Sequence, residues 1–569
     1  MGNRIRNRSD INGLYIGENE HKIKQFADDC SCFLNNFKSI YTLIDCIKGF
    51  TLHSGLKLNA DKSILFFLGP WRTKDTNILN MQIERETINM LGIEIGRCQK
   101  TIQAKNFEDK IPKMIKQLHI HSSRNLSLCG KILLTKSIGI SKFIHPMSIV
   151  DMSDETVKKI QSQLNQYIWS YKPAKVKHTV LVGDKNEAGL RSIDVKCKRK
   201  ALIVNWFMRF RNGRGWQIVI REKFEKIGGL DFLLNCDYDT KYLSFLPKFY
   251  RNFLDYFQEI TVNNHDDNII WNNRNILIEN KTIFWKDWFN CGIIFIHQLK
   301  TNNNTWMSYD DFYHKYNVRT TYLTYFSLIS TMKKALRQKH INYSSTTQLN
   351  TVNDDLHLVS GRRIKYDKAK SKDFYHEFLE FEKEPAKALN MWSETYNYDE
   401  NLFYESMVLS RECTSEPSLL SNQFKILHNI TNCRKNLFKW GIAINDTCEF
   451  CNDTLVDTLV HALCECNHTK RFTEELFRRL DRENIYRNNT SLIFGVNNLA
   501  LNMIFLIVKK YILYVRTFKL AFSSKHVMQQ IYDRIIVDKR VLSQYKFNIK
   551  WVKFNNLVNE AIAYHTECC

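Results

Sequence analysis

Three sets of residues in this 569-residue chain have types and spacings that could do chemistry. The first is Asp28-Asp29, two adjacent carboxylates between the alternating runs Lys22–Ala27 and Cys30–Leu34. Hard oxygen donors of this kind hold Mg²⁺. In two-metal sites, ions about 3.5–4 Å apart activate an attacking hydroxyl and stabilise the leaving group. Alone, an Asp-Asp pair is also an ordinary surface turn. The second set is Cys448-Glu449-Phe450-Cys451, followed after nine residues by His461 and after four more by Cys466. Two thiolates on one tight turn, closed by His and Cys from a following element, make a Cys3His set for structural Zn²⁺. Cys464 and His468 are alternative donors for its fourth position. The third set is basic. Between Arg97 and Arg214 stand 24 Lys/Arg against 8 Asp/Glu, a net of +16 out of +23 for the whole chain. Lys131, Lys136 and Lys142 recur along one helical stretch, and Lys196, Lys198, Arg199 and Lys200 cluster before Trp206. Such residues bind phosphates without sequence preference, and the binding weakens steeply with salt. Trp169, Tyr171 and Trp206 could stack bases or serve as core anchors.

These residues need elements to position them. Alternation on both sides of Asp28-Asp29 predicts a strand–turn–strand hairpin with that pair in the turn. Asn12-Gly13 and Ile16-Gly17 read as turns before it. A helix over Ser39–Phe50 would bury Ile40, Leu43, Ile44 and Ile47. Strands fit Ser63–Leu68 and Ile88–Ile95, the latter containing Leu91-Gly92-Ile93. From Asn106 the period becomes helical, with Phe107, Ile111, Ile115 and Leu118 in one stripe. A second helix runs from Ser127 as N-cap through Ile132, Leu133 and Ile138 to Pro146. A third starts at Ser153, with Asp154 and Glu155 in its first turn and Val157, Ile160, Leu164 and Ile168 on its apolar face. Residues 215–440 are aromatic-rich, Asn-rich and helical in pattern, with no catalytic signature. Asn263–Asn275 reads as loop, or as compositional bias. The C-terminal stretch is helical again, most clearly over Met503–Phe518. The expected class is α+β, mostly α.

Phe26-Ala27-Asp28-Asp29 in a strand–turn–strand setting resembles motif C of reverse transcriptases, and the residues downstream resemble the LINE (non-LTR retrotransposon) group in order. Gly55-Leu56-Lys57-Leu58-Asn59-Ala60-Asp61-Lys62-Ser63 resembles motif D, and Leu91-Gly92-Ile93 resembles motif E. Leu126-Ser127-Leu128-Cys129-Gly130-Lys131-Ile132 is similar to the start of a thumb helix. Tyr167-Ile168-Trp169, Gly189-Leu190, Ala201-Leu202 and Trp206 are similar to the segment after the thumb. Upstream, Arg4-Ile5-Arg6-Asn7 and Ile11-Asn12-Gly13-Leu14 resemble the segment just before motif C. The likeness runs over residues 1 to about 215. The Cys448–Cys466 pattern, with Thr458 three residues before His461, resembles the small zinc-binding segment of the same group.

The resemblance implies a truncated palm (hairpin plus helix) over residues 1–104, a thumb over 105–170 and a helical connecting region over 171–440. A zinc-binding segment over 441–480 and C-terminal helices over 481–569 would complete the chain. It implies an RNA-directed DNA polymerase working on RNA template and DNA primer or target DNA. Asp28 and Asp29 would be motif C ligands for Mg²⁺. Lys62 would be the motif D lysine, a candidate general acid for pyrophosphate, although it also fits an exposed loop lysine. The family's motif A aspartate lies before motif B, hence ahead of Met1, so this chain alone is expected not to polymerise DNA. The alternatives are a zinc-containing nucleic-acid-binding protein without catalysis and a decayed reading frame without selected function.

With 44% hydrophobic and 13% aromatic residues and only 7 Pro, the chain can build real cores and is not mostly disordered. Its first residues are polar and basic, without the apolar core of a secretory signal. Its 16 Cys then read as reduced thiols or metal ligands in an intracellular protein, nuclear or cytoplasmic, as a ribonucleoprotein. Leu499–Val508 is interrupted by Asn502 and ended by Lys509-Lys510, too short to span a bilayer, so no membrane association is expected.

Overall fold

The computed structural model describes residues 1–16, 18–75, 78, 80–208, 217–262, 268–339, 355–451, 454–480 and 489–567. Gly17, expected in a turn, lies outside them. The chain is mostly helical with small sheets, an α+β fold dominated by α. It divides into two compact units. One comprises Met1–Asp109, Phe143–Ser153 and Cys197–Phe378, the other Lys110–Lys142, Asp154–Lys196 and Leu379–Cys569.

The strands among the described residues fall in the first unit, as two-stranded sheets. Strands Ile23–Phe26 and Asp29–Cys32 form an antiparallel hairpin in the register Ile23↔Cys32 to Phe26↔Asp29. Its two-residue loop is therefore Ala27-Asp28, one residue earlier than the expected Asp28-Asp29 turn. Asp29 begins the return strand. Ala27 carries a positive φ of 53°, matching the positive φ that twist-compatible hairpin loops need at their first residue. Helix Phe37–Ser54 comes next, longer at both ends than its apolar pattern suggested. Asn36 caps it by accepting the Ser39 N–H, and Gly55 ends it at φ 73°. Its Leu43 and Cys46 pack with Ile5, Ile11 and Ile23 in a small core.

The single strand expected over Ile88–Ile95 is instead a hairpin, Thr87–Met90 against Ile93–Gly96. Leu91 (φ 51°) and Gly92 (φ 81°) both take left-handed backbone, and the Asn89 side chain accepts the Gly92 N–H. Two consecutive positive φ values define a tight reversal. Alternation reads through it because both arms keep period two. Strand Ile64–Phe66 pairs in parallel with Gln82–Glu84.

The rest of this unit is built on an aromatic core that includes Trp271, Trp288, Phe312 and Tyr325. The described part of the Asn-rich stretch is irregular, as a loop reading expects, and it lies in the interior of the unit; residues 263–267 lie outside the described residues. Asn272 donates to the Ile227 carbonyl and Asn273 to the Ile269 carbonyl. Buried amides matched to backbone acceptors are stable interior groups.

The second unit is helical. Helix Lys110–Ile120 buries Ile111, Met114 and Leu118, with Met114 where Ile115 was expected. Ser127 caps Leu128–Leu134 by accepting the Gly130 N–H, as its position suggested. Thr135–Gly139 continues as a π turn; the helix after it, Ser141–Met147, belongs from Phe143 onward to the first unit. Helix Asp154–Ile168 buries Val157, Ile160, Leu164 and Ile168 as its periodicity required. A β-carbon on Gly139 would stand 2.8 Å from Leu164 Cδ2, so a larger side chain would part these segments. The central element is helix Leu499–Phe518, buried along most of its length. Among the described residues no helix is long and apolar enough to cross a membrane.

Candidate metal centre

Residues 446–448 pair back on residues 455–457. Thr447 bridges Val456, the Cys448 N–H donates to the Leu455 carbonyl, and the Asp457 N–H donates to the Asp446 carbonyl. This turn presents Cys448 and Cys451. The second half of the set comes from His461–Glu465, a π turn whose first backbone N–H is taken by Thr458 Oγ1. In an α-helix, residues five apart point about 140° away from one another. The π turn, closed by the Cys466 N–H on the His461 carbonyl, brings His461 and Cys466 to one side instead. Thr458, noted for its spacing to the histidine, is therefore the cap that starts the turn.

All four residues are buried, and their ligand atoms lie within 4.8 Å of one another. Cys448 Sγ is 3.9 Å from Cys466 Sγ, and Cys451 Sγ is 3.4 Å from His461 Nε2. A tetrahedral ion with bonds of about 2.3 Å to sulfur and about 2.1 Å to nitrogen needs S···S near 3.8 Å and S···N near 3.6 Å. The donor set therefore fits a divalent metal such as Zn²⁺ in number, chemistry and spacing. Burial opposes ionisation of the Cys448 thiol. Hydrogen bonds from the Arg516 guanidinium and from backbone N–H groups of Phe450 and Cys451, with the His461 side chain, outweigh it and bring the thiol down to about 6. A thiolate is the form that binds metal. Of the alternative donors, Cys464 packs in the helical core, where burial pushes its thiol up to about 12, and His468 is exposed. The fourth ligand position is filled by Cys466. The cysteines among the described residues are free thiols.

The other expected residues are dispersed. Asp28 and Asp29 are exposed at the hairpin tip. No third His, Cys, Asp or Glu converges on them among the described residues, so the pair does not build a closed Mg²⁺ site. Lys62 is exposed at the end of the short 3-10 helix Ala60–Lys62, whose start is capped by Asn59. Lys131 donates to Ser170 Oγ. Lys136 is half-buried; burial and then the charges of Lys185 and Arg191 lower it. Lys142 is half-exposed. Lys196 pairs with Glu382, and Lys198 lies 5.7 Å from the Tyr375 ring centroid. Arg199 and Lys200 are buried, Arg199 donating to the Met152 carbonyl and Lys200 paired with Glu259. Their charges are met inside the fold. Trp206 packs against Phe249 and Tyr250, Tyr171 is half-exposed, and Trp169 lines a cavity of about 570 Å³ with Lys158, Lys172 and Lys196.

Two groups escaped the sequence reading. One is the outer partner of the metal ligands, Arg516 with Asp457; a lone arginine in the last turn of an apolar helix was its only signal. The other is Lys172, Lys175 and Lys425, which gather near Lys131 from separate segments. No protein-family model matches the chain.

Proposed function

We propose that these 569 residues form the motif C-to-zinc portion of a LINE-type reverse transcriptase and serve as its nucleic-acid-holding part. The observation that carries this reading is the exposed hairpin with Phe26, Ala27, Asp28 and Asp29 at its tip, succeeded in family order by basic helices and a Cys3His knuckle. In the thumb-like region, burial and then the neighbouring Lys425 and Lys172 lower Lys131, and the same neighbours act on Lys175. Like charges gathered without mutual neutralisation favour a polyanion. Lys175 also sits 3.5 Å above the Trp440 ring, and Trp169 beside Lys172 offers a surface for an unpaired base.

The two carboxylates, which no third ligand joins among the described residues, do not by themselves fit a working Mg²⁺ centre. The Cys3His set does fit Zn²⁺. Bound there, the ion would supply a cross-link tying the 446–457 turn to the His461–Cys466 turn.

Fluorescence anisotropy of a single-stranded RNA against salt tests the reading. The chain should bind at low salt, and Lys172→Gln/Lys175→Gln/Lys425→Gln should flatten the slope of log K against log salt by about 2. Absence of binding at low salt would overturn it. Primer extension on an RNA template with Mg²⁺ should yield nothing. Robust extension abolished by Asp28→Ala would overturn the non-polymerising part.

A further inference from the structure

The metal turn is held from outside by one buried side chain. Arg516, in the last turn of helix Leu499–Phe518, donates from Nη2 to Cys448 Sγ at 3.3 Å. The same guanidinium pairs with Asp457 and lies 4.7 Å from the Phe450 ring centroid, inside the Cys-x-x-Cys turn. Its side chain is 7% exposed and that of Asp457 4%. Asp457 in turn accepts the Arg434 backbone N–H, which anchors it at the start of helix Arg434–Lys439. Arg516 Nη1 is also buried. At the helix end, Lys519 pairs with Glu449, which Arg434 also engages.

We propose that Arg516 is the positioning residue of the metal centre: it donates to the ligand thiolates, offsets their surplus charge and couples metal loading to the docking of helix Leu499–Phe518. This rests on the zinc reading above. Three thiolates and one neutral imidazole around a divalent ion carry one net negative charge. That charge lies near a helix C-terminus, which is itself the negative end of the helix dipole. The Arg516 guanidinium, which is shared with Asp457, offsets part of it. Burial works against the charge on Arg516, but Asp457 and the sulfurs of Cys448 and Cys466 raise it above its usual value. Asp457 fixes where the guanidinium points, so the donor is in place before the metal arrives. Hydrogen bonds to ligand atoms from such partners orient the ligands and tune the ion. Because the arginine belongs to the central helix of the unit, a metal that fixes the turn's sulfurs also fixes the acceptor that holds this helix end.

Arg516→Met keeps the apolar stem against Phe450 and removes the donors; Arg516→Lys restores the charge and one donor. On the full chain, zinc content fixes the starting point and chelator competition gives the affinity. Wild type should carry one zinc per chain. Arg516→Met should bind it about 10- to 100-fold more weakly, with Arg516→Lys in between. In Co²⁺-loaded protein the thiolate-to-cobalt charge-transfer band should shift in Arg516→Met and partly return in Arg516→Lys, a readout that looser packing does not produce. Far-UV circular dichroism selects variants that keep their helix content, and Asp457→Asn, which releases the guanidinium without altering it, gives a second route to the same affinity loss. Wild-type protein without zinc would overturn the metal reading itself. Zinc-loaded wild type with unchanged affinity and unchanged cobalt spectrum in Arg516→Met would overturn the role of Arg516 and leave the metal site standing.

Discussion

A β-carbon on residue 189 would stand 2.0 Å from the Gly183 carbonyl oxygen, which leaves room for glycine alone. The sequence marked Gly189-Leu190 by resemblance, and this backbone approach is its physical reason. Gly189→Ala should destabilise by at least about 2 kcal/mol, because backbone must move to admit the methyl group; urea unfolding measures it. The preceding residue, Ala188, gives its carbonyl to His428 Nε2–H at 2.9 Å. Burial lowers His428 from 6.5 to about 4. The folded form therefore resists a proton that the unfolded form accepts. The associated stability is complete above pH 6.5 and is lost as pH falls toward 4. On passing from pH 7 to 4.5, wild type should lose about 2–3 kcal/mol more than His428→Gln. Equal losses would show that His428 is not held neutral. The histidine was invisible in sequence because its acceptor is 240 residues away.

Elements were legible where their signals are local. The N-cap at Ser127, the apolar face of Asp154–Ile168 and the hairpin around Ala27-Asp28 all arise from side chains within a few residues. Reversals hidden inside an unbroken alternation, such as Leu91-Gly92, were not. The polar residues of Leu499–Phe518 were misleading in another way. Asn502 and Lys509 read as interruptions of an apolar run, yet both are buried keys. Asn502 bonds both backbone groups of Val496, and Lys509, which burial brings down to about 7, donates to the Ile493 carbonyl. Both fasten the chain at the end of helix Asn489–Phe494, where the Ile493 carbonyl also accepts from Gln423 Nε2 and the Val496 carbonyl from the Asn498 N–H. For the motif C hairpin, the prediction concerns Ala27. Left-handed backbone costs a residue with a β-carbon about 1–2 kcal/mol, partly offset by the flexibility glycine adds to the unfolded chain. Ala27→Gly should raise amide-exchange protection across Phe26↔Asp29, and Ala27→Val should lower it. The reverse order would contradict the turn geometry.

At the scale of the molecule, each unit draws on three stretches of sequence. Periodicity senses neighbours within about 18 residues, so it carries no signal for such assembly. The Cys3His set was readable because its spacing is local, whereas Arg516 was not because it belongs to another segment. Zinc removal tests the scale directly. Cys448→Ser/Cys451→Ser should release the metal and lower the thermal midpoint of the chain, since binding free energy at such a site is folding free energy. Unchanged melting with the metal gone would show that the knuckle carries no stability.

The paired strands and short segments of the first hundred residues leave Leu14, Tyr15, Phe26, Leu56, Ile64 and Leu68 largely exposed. Two-stranded sheets seldom hold together alone, and apolar patches left in water invite association. In a concentrated solution the first hundred residues should therefore be one adhesive part of the chain. Leu56→Lys/Leu68→Lys should slow turbidity on warming while the zinc content stays the same. In a cell, the same surface would give folding chaperones a place to grip.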